Sequence, residues 1–282
     1  MTVNKPLNVN DEDLTGTGPL NSLPHDRPTD MSYFILRIRL AEISRSIVDH
    51  NLSNVASCNR PNYYAHIMAM DFEIDQVMRD IPPFFNMDAY AHDFDSDAGI
   101  RIFLQAYMLN SHMHTQRCKL HIGFLTSSSR DNPAYAASRD TCLKSARQIV
   151  HAEVQMLQSK HPFVQVRLGF AAFLYGLFMA SIALLMDTCI HKPDLLEHDV
   201  SVGDLADALR MIQEMNANSL AAATMHESLM QIIARYRAQH RHSQTEVQLS
   251  PTSQAITFDD SMFLDNTQWD DLFTGLASSS FF

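Results

Sequence analysis

An all-α, multi-helix bundle is the fold this sequence predicts, and three observations predict it. Apolar residues recur three and four positions apart in segment after segment of residues 31–241, the spacing that gathers them on one face of a helix. No stretch alternates apolar and polar residues with the two-residue period of a half-buried strand, and no internal repeat is visible. Sixteen methionines against one tryptophan suggest a core or pocket that adapts its shape, because the unbranched thioether fills irregular gaps.

The elements follow in order. Residues 1–30 carry Pro6, Pro19, Pro24 and Pro28 with Gly16 and Gly18, a density of breakers that excludes a long helix and predicts an extended strap. Thr29 or Asp30 then caps a helix in which Leu36, Leu40, Ile43 and Ile47 share a face, with Arg37, Arg39 and Arg45 between them. A second helix places Tyr63, Ile67, Met70, Ile74 and Val77 on one side and is stopped by Pro82 and Pro83. A third runs from about Ile100 to Ile122. Beyond a polar loop through Ser127, Ser128, Ser129, Asn132 and Pro133, a fourth covers Ala134 to Gln158 with Leu143, Ala146, Val150 and Leu157 as its stripe.

The fifth segment, Leu168 to Met186, is uncharged throughout and meets the length criterion for a membrane span. Gln165 and Arg167 before it, Asp187 after it, a thin basic flank and the lack of a second such run favour the other reading, a helix apolar all round at the centre of a bundle. Gly169, Gly176, Ala180 and Ser181 would let its neighbours approach closely. A last helical region from Asp204 to about Gln239 presents Leu205, Leu209 and Ile212, then Leu220, Met225, Leu229, Ile232 and Ile233. The helix signal stops at Arg241, and Ser243 to Ala255 reads as a linker.

From His242 to Phe282 the chain holds Glu246, Asp259, Asp260, Asp265, Asp270 and Asp271 but no Lys or Arg, with bulky apolar residues among the acids. Trp269, Leu272, Phe273 and Leu276 fall at i, i+3, i+4 and i+7, so a helix would align them; Asn266 or Thr267 would cap it, and Asp270 and Asp271 would sit in its first turn. So short a helix is marginal in water without a partner. The segment therefore reads as a disordered acidic-hydrophobic tail that folds as its apolar face enters a groove on a coactivator, with Trp269, Leu272 and Phe273 as anchors and Asp270 and Asp271 facing a basic rim. The alternative is a terminal helix docked on its own domain, with Trp269 in the core. The division expected is a strap at 1–30, a helical domain at 31–241, and a linker with tail at 242–282.

The formal charge is −11, and setting aside the tail's six acids brings it only to −5, so no basic footprint for nucleic acid is present. Cys58, Cys118, Cys142 and Cys189 are widely spaced, follow no secretory leader and form no Cys-x-x-Cys knuckle; they read as reduced, buried small residues. His112, His114, Cys118 and His121 are metal-like in type, and the last three share a helix face, yet they lack carboxylate support and read as core or edge residues. Asp93, Asp95 and Asp97 with Gly99 do not complete a calcium loop, and Arg235, Arg237 and Arg241 with His240 and His242 read as the cationic end of a helix. No zinc-hydrolase pair, nucleophile elbow or phosphate-cradling glycine loop occurs, so no enzyme, cofactor or metal is assigned.

Pro6-Leu7-Asn8-Val9-Asn10-Asp11-Glu12-Asp13-Leu14, followed by a threonine and a helix, here Thr29 to Ser46, resembles the proline-asparagine-aspartate strap of one family, the regulatory middle homology region of fungal zinc-cluster transcription factors. Lys119-Leu120-His121, then Tyr135 to Arg147 with Ser138-Arg139, Cys142-Leu143 and Ala146-Arg147, is similar to its serine-arginine, cysteine-leucine, alanine-arginine segment. Leu177 to Asp187 resembles its apolar helix ending in aspartate, and Gln268 to Phe273 with Ser278 to Phe282 resembles its acidic-aromatic ends. The likeness spans about residues 5–240 and corresponds to the later part of the regulatory domain.

The resemblance implies a nuclear transcriptional regulator, a soluble bundle rather than a membrane span, and control of a specialised metabolic pathway. With four cysteines the sequence cannot hold the family's six-cysteine cluster, so DNA contact is expected only indirectly or through an N-terminal module outside this sequence. Ile122-Gly123 stands where many members have arginine-proline. Helices that would pack on an earlier half of the domain are expected to be covered by a partner or a second copy, which predicts oligomerisation or poor solubility rather than a monodisperse monomer. The competing class is an all-α small-molecule-binding or biosynthetic protein using the same fold, with a Met-rich cavity between the third and fifth helices.

Overall fold

The computed structural model describes residues 4–15, 21–54, 60–87, 96–125, 132–158, 163, 171–191, 203–217 and 219–247. Among them are seven α-helices: α1 (Ser32–Asn54), α2 (Arg60–Arg79), α3 (Asp97–His121), α4 (Ala136–Gln158), α5 (Ala171–His191), α6 (Asp204–Met215) and α7 (Leu220–Val247). Short 3-10 turns occupy Asp11–Thr15, Pro83–Phe85, Ile122–Leu125 and Pro133–Tyr135, and no strand occurs among the described residues. The all-α architecture is therefore as predicted. The chain divides into two compact units, Met1–Arg117 and Cys118–Phe282.

In the first unit α1 packs against α2. Leu36, Leu40 and Ile43 of α1 and Ile67, Met70, Ile74 and Val77 of α2 are buried at the predicted helical spacing. Tyr63, predicted on the same stripe, is 41% exposed, because it lies in the first turn of α2 beyond the packed part of the face. After α2 ends at Arg79, Pro82 and Pro83 redirect the chain into the turn that buries Phe85. Ser96 Oγ accepts from the Gly99 amide at 3.1 Å, and Asp97 stands in the first turn of α3, where the unpaired amides favour a negative charge. Phe103, Ala106, Tyr107, Leu109 and Met113 of α3 are buried in this unit.

The second unit is built around α5, which touches α4, α6, α7 and the Ile122–Leu125 turn. Every residue from Gly176 to Met186 is buried. A helix with neighbours on all sides has no face to spare for charge, and that accounts for the uncharged run. Among the described residues no helix is long and apolar enough to cross a membrane. The hydroxyls inside α5 are satisfied locally: Ser181 Oγ donates to Leu177 O and Thr188 Oγ1 to Leu184 O, both at 2.8 Å.

The contact of α4 with α5 is the most extensive between helices. The buried residues of α4 are largely small, Ser138, Cys142, Ser145, Ala146 and Ala152, with Ile149, Val150, Glu153 and Met156. Ala146 and Val150 of the predicted stripe are buried, whereas Leu143 and Leu157 are only partly buried.

The last predicted helical region is two helices, α6 ending at Met215 and α7 beginning at Leu220. Asn and Ser bond readily to nearby backbone and favour such breaks; Ser219 Oγ accepts from the Ala222 amide at 3.3 Å. Leu220, expected on the apolar face, is 69% exposed as the first residue of α7. The backbone of α7 continues to Val247, beyond the expected end at Arg241, through residues that include no Gly or Pro.

Candidate functional site

The predicted coactivator-binding residues Trp269, Asp270, Asp271, Leu272 and Phe273 lie outside the described residues, as do Cys58, Asp93, Asp95 and the linker from position 248. What the structure does describe are the strap and the α4 motif on which the family resemblance rested.

The strap is fastened by Asn8, which is fully buried. Its Nδ2 donates to Leu23 O at 3.1 Å and Pro24 O at 3.0 Å, while its Oδ1 accepts from Thr29 Oγ1 at 2.7 Å and Ser32 Oγ at 3.1 Å. Both amide donors and both acceptor lone pairs are used, the complete capacity of an asparagine side chain. Its backbone also takes part: Asn8 N donates to Ser22 Oγ at 3.0 Å, and Leu23 N donates to Asn8 O at 2.8 Å.

Thr29 is the cap of α1. Its Oγ1 accepts from Met31 N at 3.2 Å, and its own amide donates to Ser32 Oγ at 2.9 Å, a reciprocal arrangement like a capping box. Asp30, the other candidate cap, does something else: its carboxylate accepts from Asp11 N at 3.3 Å and from Arg101 Nη1 at 3.1 Å. Asn10 Oδ1 accepts from Asp30 N at 3.2 Å, and Asp13 Oδ2 accepts from Asn10 N at 2.9 Å. The asparagine-aspartate pattern of the strap is thus a set of fixed hydrogen bonds to the start of α1.

In the second unit the serine-arginine, cysteine-leucine, alanine-arginine motif divides by face. Ser138, Cys142 and Ala146 are buried in the core, and the two arginines tie neighbouring segments to α4. Arg139 Nη1 donates to Asn132 O at 3.1 Å, and Arg147 Nε lies 3.4 Å from Asp204 Oδ2 at the start of α6. Cys142 faces Cys118, their sulfurs 3.7 Å apart, and each thiol points at the other's carbonyl: Cys118 Sγ to Cys142 O is 3.5 Å and Cys142 Sγ to Cys118 O is 3.6 Å. The bond to Cys118, reinforced by burial, raises the Cys142 thiol pKa well above the ordinary range. Cys189, in the same core, is pushed up to about 12 by burial.

The histidines are distributed between the units. His114, in the first, is buried with no hydrogen-bond partner at Nδ1; burial, and then the Arg117 charge, lower its pKa to about 4. His112 is lowered by burial and by Arg37. His121, in the second, is buried beside Phe124, ring centroids 6.5 Å apart. Among the described residues no three His, Cys, Asp or Glu side chains are grouped to hold a metal ion.

Arg117 makes a forked pair with Asp71 in the first unit: Nε to Oδ1 is 2.5 Å and Nη2 to Oδ2 is 2.9 Å. Asp75 Oδ1 lies 3.5 Å from Nη2. Burial lowers the guanidinium pKa, but Asp71 and then Asp75 outweigh it and hold the group above its ordinary value. This pair carried no motif and was missed in the sequence; Asp71 and Asp75, one turn apart on α2, were the only hint of it.

The chain is homologous to proteins named as fungal transcription factors. It is 33% identical over 256 residues to the probable transcription factor lepB of Aspergillus flavus, covering 90% of this chain and 45% of that protein. It is 27% identical over 236 residues to the agnestins biosynthesis cluster transcription factor AgnL11 of Paecilomyces divaricatus, covering 83% of this chain and 32% of the other. With transcription factor TAS2 of Pyricularia oryzae it shares 28% identity over 156 residues, 54% of this chain and 20% of that protein. The chain therefore spans less than half the length of the curated relatives it matches. No family model and no solved structure matches it.

Proposed function

We propose that the chain is a transcriptional regulator of a specialised metabolic pathway, acting in the nucleus and without catalytic activity. Its helical body is the regulatory part, and its acidic-hydrophobic tail recruits a coactivator. The observation that carries this reading is the homology to fungal transcription factors, one of them named for a biosynthesis cluster, joined to a tail with six acids, no Lys or Arg and a Trp269, Leu272, Phe273 stripe. In this reading those three side chains enter an apolar groove, and Asp270 and Asp271 speed the encounter with a basic rim. Contact with DNA comes indirectly or through an N-terminal module, and the regulatory body pairs with itself or with another regulator.

The test is direct. Residues 242–282 fused to a heterologous DNA-binding module should drive a reporter, and replacing Trp269, Leu272 and Phe273 together by Ala should abolish that drive. Retained reporter activity in the triple variant refutes their role. Trp269 is the only tryptophan, so its emission should shift to the blue when a coactivator domain is added, and a shift already present in the chain alone points instead to a tail docked on its own body.

A further inference from the structure

The Cys118–Cys142 contact is more specific than two small residues sharing a core. Both residues are fully buried in the second unit, and the crosswise approach of each sulfur to the other's carbonyl oxygen sets them directly opposite one another, at the last turn of α3 and the second turn of α4. Two thiols alone do not meet a zinc ion's need for four ligands, and the described residues group no third metal-binding side chain with them. What two facing thiols can do without further groups is join.

We propose that Cys118 and Cys142 are a modification site, at which a hydroperoxide links the end of α3 to α4 through a disulfide. The peroxide oxygen is transferred to one sulfur, giving a sulfenic acid and releasing an alcohol, or water when the oxidant is hydrogen peroxide. The second thiol then attacks that sulfur, the S–S bond forms, and the sulfenic oxygen leaves as water with the thiol proton. Two thiols are oxidised and one peroxide bond is reduced, so no further reagent is required.

Burial decides the kinetics. Neither sulfur is accessible in the closed unit, and a thiol held in its protonated form is a poor nucleophile, so the first step waits for a local opening of the α3–α4 contact. Closure then returns the second thiol to within 3.7 Å of the oxidised sulfur, where it outcompetes every more distant thiol. Opening sets the rate, and closure sets the partner. Cys189 belongs to the same apolar cluster and is the internal comparison. This inference does not depend on the transcriptional reading.

The experiment uses the full chain. Hydrogen peroxide is added, residual thiols are alkylated, and the protein is digested without reductant for mass analysis. The expected product is a Cys118–Cys142 linked peptide lighter by two hydrogen atoms, reversed by dithiothreitol and formed at least about tenfold faster than any link to Cys58 or Cys189. Its rate should rise in urea below the unfolding transition, and the oxidised chain should unfold at higher urea than the reduced one because the intervening loop is closed. Recovery of both residues as alkylated thiols while Cys58 or Cys189 is oxidised overturns the proposal. So does their conversion to sulfinic acids without a link, or an oxidised chain no more resistant to urea than the reduced one.

Discussion

Asn8 shows how a single polar side chain can outweigh an apolar one in holding a strap. Replacing it by Ala strands two carbonyls and two hydroxyls that are wholly or partly buried, and unsatisfied groups of that kind cost about 1 kcal/mol or more apiece, so Asn8→Ala should destabilise the first unit by about 3 kcal/mol in urea unfolding. A loss below about 1 kcal/mol would mean that water replaces the partners. His114 sets a pH dependence whose sign is fixed by its lowered pKa. The unfolded chain takes up this proton near 6.5, whereas the folded one holds out until about 4. Stability is therefore full above the first value, falls as the pH drops through the interval, and loses nothing further from this group below it. The total is about 3 kcal/mol, and His114→Leu should flatten that part of the profile when urea midpoints are compared at neutral and acidic pH. Of these residues the sequence marked Asn8 through its strap pattern and His114 through its helix face. It could not show that Asn8 completes four hydrogen bonds with partners up to twenty-four positions away, because those partners depend on how the chain folds back.

Helix α5 derives its position from its neighbours rather than from amphipathicity. Its uncharged run was visible in the sequence and met the length of a membrane span, while its flanks favoured a bundle; the surrounding α4, α6 and α7 agree with the bundle. The partner face on α4 was harder to anticipate. Of the stripe Leu143, Ala146, Val150 and Leu157, the structure buries Ala146 and Val150 fully and Leu143 and Leu157 only in part, with the smaller Cys142 and Ser145 buried beside them. Ala146→Leu should therefore overpack this contact and cost about 1–3 kcal/mol, although it raises the hydrophobicity of the helix. Thermal unfolding checks it, and a neutral or stabilising result would mean that the seam has slack. The break between α6 and α7 was within reach of the sequence, since Asn216, Asn218 and Ser219 stand together there. Gly203 was not: its φ of +98° just before α6 is a backbone requirement that a lone glycine does not announce.

For the protein entire, the charge distribution is the feature that composition reveals most plainly. The net −11 lies largely in the six acids of the last forty-one residues, with only −5 on the rest. In the proposed function those acids accelerate encounter more than they add affinity, so raising salt from about 0.05 M to 0.5 M should slow association with a coactivator domain by about tenfold or more while changing dissociation little. Stopped-flow emission of Trp269 measures both rates, and an unchanged association rate would place the binding energy in the apolar stripe alone. The division of the chain into units around residue 117 was not foreseeable by pattern, because α3 reads as one uninterrupted helix across it. Periodicity reports which residues face inward; it does not report which core receives them.

The encirclement of α5 has a consequence for biosynthesis. The ribosome releases α5 before it has made α6 and α7, and at ordinary elongation speeds the completion of Val247 trails His191 by roughly 3–11 seconds. For that interval the greasiest stretch of the polypeptide has α4 and the Ile122–Leu125 turn to lean on, but neither α6 nor α7. Newborn chains stalled there would offer a sticky rod to chaperones or to one another, so the yield of intact protein depends on the tempo of translation through residues 192–247 as much as on the final energy of the fold.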